Sequence, residues 1–192
     1  MTLKEYKKKR DFKKTPEPEG ILKDFEKNIF VVQKHQASKL HYDFRIEIES
    51  VLKSWAVPKG PSLNPKDKRL AIETEDHPLD YANFEGVIPE NNYGAGTVML
   101  WDRGTYENET QINNESIPIK EAYKKGHITI QLNGKKLKGS YSLIKMGQDN
   151  KWLLIKKDDS NADRKIDILE QENRSIISNK TIEEIEETHN EE

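Results

Sequence analysis

A mainly β fold, an antiparallel barrel or sandwich, is what this sequence predicts, and three of its features carry that expectation. Short runs rich in β-branched and aromatic residues recur from Ile29 to Lys156. Turn-forming residues separate these runs at short, regular intervals. Between them only one brief stretch has helical character.

Taken in order, residues 1–28 read as a basic, charged arm broken at Thr15-Pro16-Glu17-Pro18-Glu19-Gly20. Ile29–Val32 begins the strand series, followed by 41–49 and Val51–Val57. Pro58-Lys59-Gly60-Pro61 stops that third run and makes a rigid loop. Further strands are expected at 69–74, 96–102, 127–132, 137–146 and 151–156, with Asn133-Gly134 as a hairpin turn. Residues 115–125 are expected to form one short helix ending at Gly126. Trp55, Trp101 and Trp152 all fall within strands and read as core, since no basic patch interleaves with them. The stretch Asn91–Thr97 is Gly-rich but lacks the lysine and the strand–loop–helix setting of a nucleotide-binding loop, so it reads as a tight turn with close backbone packing. Residues 158–192 form a charged, acidic tail. The Ile182/Ile185 spacing allows a weak helix there, and the last third is expected to be disordered.

With 192 residues, the chain is long enough for one domain with a substantial core, flanked by tails. Only 33% of residues are hydrophobic and 34% are charged, which suits partly unpacked termini. The net charge of −2 by itself predicts no nucleic-acid partner. Its distribution says more: residues 1–14 hold seven Lys/Arg against two acids, and 181–192 hold six Glu and no Lys or Arg. A basic arm can follow a phosphate backbone. There is no cysteine, so disulfides and thiolate metal sites are excluded. No apolar run reaches membrane-spanning length and the N-terminus has no apolar signal core, so an intracellular, cytoplasmic protein without a membrane partner is expected.

The chemistry concentrates in residues 33–45, which contain two of the five histidines. Read with period two, His41, Asp43, Arg45 and Glu47 share one face of a strand, while Tyr42, Phe44, Ile46 and Ile48 share the other. At a rise of about 3.3 Å per residue, His41 and Asp43 are close enough to hold one ion. His35 lies upstream across a short polar reversal and can return as a third ligand. Two imidazoles and a carboxylate suit Mn, Fe or Zn with positions left open for substrate. Arg45, next along that face, suits a phosphate beside the ion. The competing reading of the same residues is a plain solvated polar face.

Elsewhere, Lys59 sits in the rigid Pro-Lys-Gly-Pro loop and Arg69 opens a strand; by themselves both read as exposed surface cations. His77 lies in Glu75-Asp76-His77-Pro78-Leu79-Asp80-Tyr81, where flanking acids are expected to raise its pKa and favour the imidazolium. A cationic His77 could bind a phosphate oxygen or act as general acid toward a leaving group. His127 and His189 read as structural or incidental. One rival pairs His41 and Asp43 with the distal His77 as the facial triad of a non-haem iron oxygenase, although no arginine follows His77 closely enough to anchor an oxoacid and His35 is left idle. A second rival is a β-barrel binding module with degenerate chemistry.

Read together, Phe30-Val-Val-Gln-Lys-His, Leu40-His-Tyr-Asp-Phe-Arg, Ser54-Trp-Ala-Val-Pro-Lys-Gly-Pro, Glu75-Asp-His-Pro-Leu-Asp-Tyr, Phe84-Glu-Gly-Val-Ile-Pro, Asn92-Tyr-Gly-Ala-Gly-Thr-Val and Trp101-Asp-Arg-Gly-Thr-Tyr resemble, in this order, the 3′-phosphoesterase domain of bacterial and archaeal DNA ligase D. The likeness runs from about Lys8 to about Lys157, arm included. It implies a compact antiparallel β-barrel with a short helix and charged, partly disordered termini, divided into an arm (1–28) that folds over the active site, a barrel domain (29–157) and an acidic tail (158–192). It further implies an Mn2+-dependent enzyme of DNA repair by end joining. Such an enzyme removes a terminal 3′-ribonucleoside to leave a 3′-phosphate, then hydrolyses that phosphate to a 3′-hydroxyl. His35, His41 and Asp43 match the metal ligands; Arg45 and His77 match groups contacting the phosphate. Gln33, Lys59, Arg69, Tyr81, Arg10, Asp11 and Glu17 match supporting positions. Ser50 stands where a turn glycine is common. The implied partners are DNA or RNA-tipped DNA 3′ ends and separate ligase, polymerase or Ku-like proteins, with the chain itself a monomer associated with the nucleoid.

Overall fold

The computed structural model describes residues 3–20 and 28–190. A short helix α1 (Leu3–Lys8) opens the chain, and three antiparallel strands follow: β1 (Ile29–Gln36), β2 (Leu40–Ile48) and β3 (Val51–Val57). Next come β4 (Arg69–Glu73), a 3-10 turn (Leu79–Asn83), β5 (Gly86–Ile88) and the long β6 (Gly96–Asn108). The small pair β7 (Gln111–Ile112) and β8 (Glu115–Ser116) precedes α2 (Ile119–Lys125). Strands β9 (His127–Gly134), β10 (Lys138–Lys145) and β11 (Lys151–Lys156) complete the sheet, and α3 (Ile168–Gln171) and α4 (Ile182–Asn190) end the chain.

The strands pair in the order β1-β2-β3-β4-β11-β10-β9-β6, and β6 returns to pair with β1. That return closes an eight-stranded antiparallel barrel, with β5 added along β6. Closure removes the open edges that an antiparallel sheet would otherwise present. Inside lie Phe30, Val32, Tyr42, Phe44, Ile46, Trp55, Trp101, Trp152 and their neighbours, all buried. Each such side chain contributes about 1.5–3 kcal/mol of hydrophobic stabilisation. A second cluster lies outside the barrel, where Tyr6 from α1 packs with Ile29, Val31, Leu52, Tyr81 and Leu100. The N-terminal arm is therefore held against the outer wall by an apolar anchor.

Several local expectations change in the folded chain. The hairpin between β2 and β3 turns on Glu49 and Ser50, both with positive φ (54° and 63°), the conformation of a tight two-residue turn. Glu47 steadies it by accepting the Ser50 N–H at 2.9 Å, so a serine serves where glycine is usual. Asn133-Gly134 is not the predicted turn: both residues remain in β9, and the chain reverses at Lys135–Lys136. The buried Asp102 decides this, because its carboxylate accepts the N–H groups of Lys135, Lys136 and Leu137 at 2.8–3.0 Å. Gly134 is needed for room instead, since a Cβ there would lie 2.5 Å from the Asp102 carboxylate and 2.6 Å from the Phe30 ring.

The helix expected over 115–125 starts only at Ile119, because Pro118 holds the preceding backbone extended; it ends, as expected, on a left-handed Gly126 at φ 71°. The last third of the tail, expected to be disordered, carries α4, with Ile182 and Ile185 buried in the main core beside Ile168. The Trp101 indole N–H donates to the Glu172 carbonyl, which ties this tail to the barrel. Ile168, Ile182 and Ile185, with Leu169 and Ile176 packed alongside, dock this charged tail.

Candidate metal and phosphate site

Strands β1 and β2 place His35 directly opposite His41, Gln33 opposite Asp43 and Val31 opposite Arg45. Because side chains alternate, Tyr42, Phe44 and Ile46 enter the barrel while Asp43 and Arg45 face outward. The ligand atoms of His35, His41 and Asp43 all lie within 4.8 Å of one another. Among the described residues this is the one such group of His, Asp or Glu. His35 Nδ1 is 3.6 Å and His41 Nε2 3.7 Å from the Asp43 carboxylate.

The tautomers follow from what stands behind each ring. His35 Nε2 lies 3.0 Å from the Gly94 carbonyl, and His41 Nδ1 lies 2.9 Å from the Lys39 carbonyl. A carbonyl can only accept, so each of those nitrogens carries the proton. The lone pairs of His35 Nδ1 and His41 Nε2 are thereby turned toward Asp43, the arrangement that metal-binding histidines need. Burial would raise the Asp43 pKa, but the adjacent Arg45 guanidinium, which donates to it at 3.0 Å, outweighs that and holds the carboxyl well below its usual range. The residues fit a divalent cation bound through two nitrogens and one oxygen.

Behind the triad, Arg45 is locked. Its Nε donates to Gln33 at 2.9 Å and one terminal nitrogen donates to Asp43 at 3.0 Å, while the other lies 3.0 Å from His77 Nδ1. Gln33 is itself fixed by donating to the carbonyls of Tyr81 and Phe84. The expected imidazolium at His77 is not what the fold produces. Burial first, then Arg45 and Arg10, push its pKa well below the ordinary value, so His77 is neutral. The flanking acids are turned elsewhere: Glu75 holds Lys9 and Arg10, and Asp76 holds Lys53. His77 also stands outside the ligand group, which removes the geometry of the oxygenase triad.

The arm supplies the remaining wall. Arg10 donates to Glu17 at 2.8 Å and to Glu75 at 2.6 Å; the Tyr81 hydroxyl donates to the same Glu17 oxygen at 3.1 Å. Both side chains of the Arg10–Glu17 pair are nearly inaccessible to solvent. Breaking such a pair by removing one partner strands a buried charge. Together these groups line a cleft of about 210 Å³ that includes His35, His41, Asp43, Arg45, His77 and Tyr81.

Not every expected residue is there. Asp11 is exposed in the arm, paired with Lys14, and Lys59 is exposed in its loop; neither lines the cleft. Arg69 bonds Asp67 at 3.0 Å and lines a separate polar hollow with Ser62 and Arg164. Conversely, Glu75, Tyr93 and Gly94 belong to the cleft although nothing in the sequence reading assigned them there. Glu75 is offset by two from His77, a spacing that puts both on one face of an extended segment, and that was the available signal.

The family model described as the DNA Ligase D 3'-phosphoesterase domain matches residues 33–145. A Multifunctional non-homologous end joining protein LigD of Pseudomonas aeruginosa is 48% identical over 189 residues, which are 94% of this chain and 22% of the relative. A Multifunctional non-homologous end joining DNA repair protein LigD of Mycobacterium tuberculosis is 44% identical over 153 residues, 79% of this chain and 19% of the relative. One from Mycolicibacterium smegmatis is 42% identical over 163 residues, 83% and 21% of the respective chains. The chain thus spans about a fifth of the length of these relatives.

Proposed function

The chain belongs to the DNA ligase D 3′-phosphoesterase domain family, and on that premise we propose that it is a metal-dependent enzyme that processes 3′ ends in DNA repair by end joining. It removes a terminal 3′-ribonucleoside to leave a 3′-phosphate and hydrolyses that phosphate to a 3′-hydroxyl, with Mn2+ as the metal. The division into arm (1–28), barrel (29–157) and tail (158–192) and a monomeric, cytoplasmic state are part of the same reading. Proteins carrying ligase, polymerase or Ku-like functions would be its partners.

The single observation that carries the reading is the convergence of His35, His41 and Asp43 beside a fixed Arg45. Charge supports it. The cleft is lined by Asp43, Glu17 and Glu75 against Arg10 and Arg45, one net negative charge from the protein groups alone with neutral imidazoles. Such a pocket disfavours a phosphate until a divalent cation reverses its sign. When bound, the cation would neutralise a non-bridging phosphate oxygen and polarise the phosphorus centre.

The chain's own residues do the rest. Of the five guanidinium N–H groups of an arginine, Arg45 directs at most three at Gln33, Asp43 and His77, so others remain for phosphate oxygens. Neutral His77 donates its Nδ1 proton to the Glu75 carbonyl at 2.9 Å and packs beside Arg45 in the cleft wall. Glu17, Arg10 and Tyr81 close the wall and exclude water from one side. Lys59, Arg69 and Asp11 lie apart from the cleft, and in this reading they contact the nucleic acid beyond its terminal phosphate.

The test is a primer-template ending in one ribonucleotide, incubated with Mn2+ with and without chelator. Sequential appearance of 3′-phosphate and 3′-hydroxyl ends that chelator abolishes is expected; unchanged 3′ termini would overturn the reading.

A further inference from the structure

Tyr93 stands apart from the other residues lining the cleft. It alone among them is exposed, with half of its surface (50%) in solvent. An aromatic ring in water is unusual where every neighbouring wall group is buried or half-buried. The ring is nonetheless held in place. Lys9 Nζ sits 4.4 Å from the ring centroid and 3.3 Å from the hydroxyl, and the Arg10 guanidinium lies 5.4 Å from the ring. Both cations are in turn fixed by Glu75. The loop is tight as well: Asn92 N–H donates to the Pro89 carbonyl and Ala95 N–H to the Asn92 carbonyl, both at 3.2 Å. Gly96 follows at φ 133°, where a Cβ would come 2.1 Å from the Gln36 carbonyl. The adjacent residue, Gly94, supplies the carbonyl behind His35. Tyr93 is therefore a pre-positioned aromatic face at the rim, one residue from the backing of a metal ligand.

On the reading that this site acts on nucleic-acid 3′ ends, we propose that Tyr93 is the platform on which the base of the terminal nucleotide stacks. The phosphate seats among charged groups in the cleft, and the attached sugar and base must leave by the mouth. A flat base meets the Tyr93 ring there. Stacking accepts any base, because every base has a π face, and this suits an enzyme that must work on ends of any sequence. Because Lys9 and Arg10 already restrain the ring, little ordering is lost on binding. Tyr93 is a positioning and binding group for the substrate; the phosphate chemistry does not pass through it.

The test compares two primer-templates carrying a 3′-phosphate, one on an ordinary nucleotide and one on an abasic tetrahydrofuran residue, with Mn2+ and with phosphate release as the readout. On the ordinary end, Tyr93→Ala is expected to raise KM on the order of tenfold with kcat little changed, in line with the loss of one stacked base. Tyr93→Phe, which keeps the ring under Lys9 and loses only the hydrogen bond from Lys9 to the hydroxyl, is expected to restore the low KM. On the abasic end, the Tyr93→Ala and wild-type KM values should coincide. Equal KM penalties on both ends would show that Tyr93 only latches the arm, and would overturn the stacking role. A wild type that turns over while Tyr93→Ala matches it on the ordinary end overturns the platform but leaves the phosphoesterase reading intact. No metal-dependent release by the wild type would overturn both.

Discussion

The β1–β2 hairpin has two faces that share a backbone and differ in almost everything else. The inward face, Phe30, Val32, Tyr42, Phe44 and Ile46, is buried apolar volume inside the barrel. The outward face, Gln33, His35, His41, Asp43 and Arg45, is a polar chain in which each member has a named partner. The first face needs shape and tolerates chemical substitution of equal volume. The second needs donors and acceptors at fixed positions and contributes little by its volume. One hairpin thus carries the fold on one side and the site on the other, and the barrel's rigidity is what keeps the ligand atoms converged.

The contrast is sharpest if one side can be damaged without the other. Phe44→Ala, inward and stacked on Phe30 at 6.3 Å, should cost about 3–5 kcal/mol of stability. Urea unfolding checks this, and the fraction still folded should keep its metal affinity. His41→Ala, outward and partly exposed, is the mirror case. Activity should fall more than about 100-fold, beyond the 10–100-fold seen when only a partner behind a ligand is lost. The unfolding midpoint should move by about 1 kcal/mol or less. If the two variants instead lose stability and activity in parallel, the separation of faces is wrong.

Gly94→Ala probes the support behind His35. Gly94 has φ 77°, and an added Cβ would have space, so the change acts through backbone strain on the carbonyl that fixes the imidazole. Metal affinity should weaken about 10-fold, read by titration with Mn2+, with the fold intact by circular dichroism. The smallest effect concerns His77. Its folded pKa lies well below the ordinary 6.5. As pH falls through that ordinary value, the unfolded chain takes up a proton that the folded chain refuses, so stability declines. His77→Gln should flatten the stability-versus-pH slope of the metal-free protein between pH 7 and pH 5 by about 1 kcal/mol or more in total. A slope identical in the two proteins would show that the fold leaves the His77 pKa at its unfolded value.

Much of the hairpin was legible because period two is a local property of the chain. His41, Asp43 and Arg45 share a face whatever the rest does, and His35 needs only a short reversal to join them. The three tryptophans reached the core for the same local reason. What failed was inference from adjacency. Glu75 and Asp76 flank His77 in sequence yet spend their charge on Lys9, Arg10 and Lys53, leaving His77 beside Arg45 and neutral. Asn133-Gly134 has a turn's composition, but Asp102 on a distant strand sets the reversal two residues later. A few apolar side chains, Ile168, Ile182 and Ile185 foremost, docked a tail whose charge argued for disorder.

By itself, the sequence determined the strand alternation, the placing of His41, Asp43 and Arg45 on one face with His35 within reach, and the absence of thiolate chemistry, since each depends on residue type and near spacing. Only the tertiary structure decided that Glu75 and Tyr93 join Glu17 and Tyr81 at one cleft while Asp11, Lys59 and Arg69 stay outside it, and which charge pairs with which. Electrostatic partners are chosen by distance through space, and barrel closure brings together groups that chain order keeps far apart.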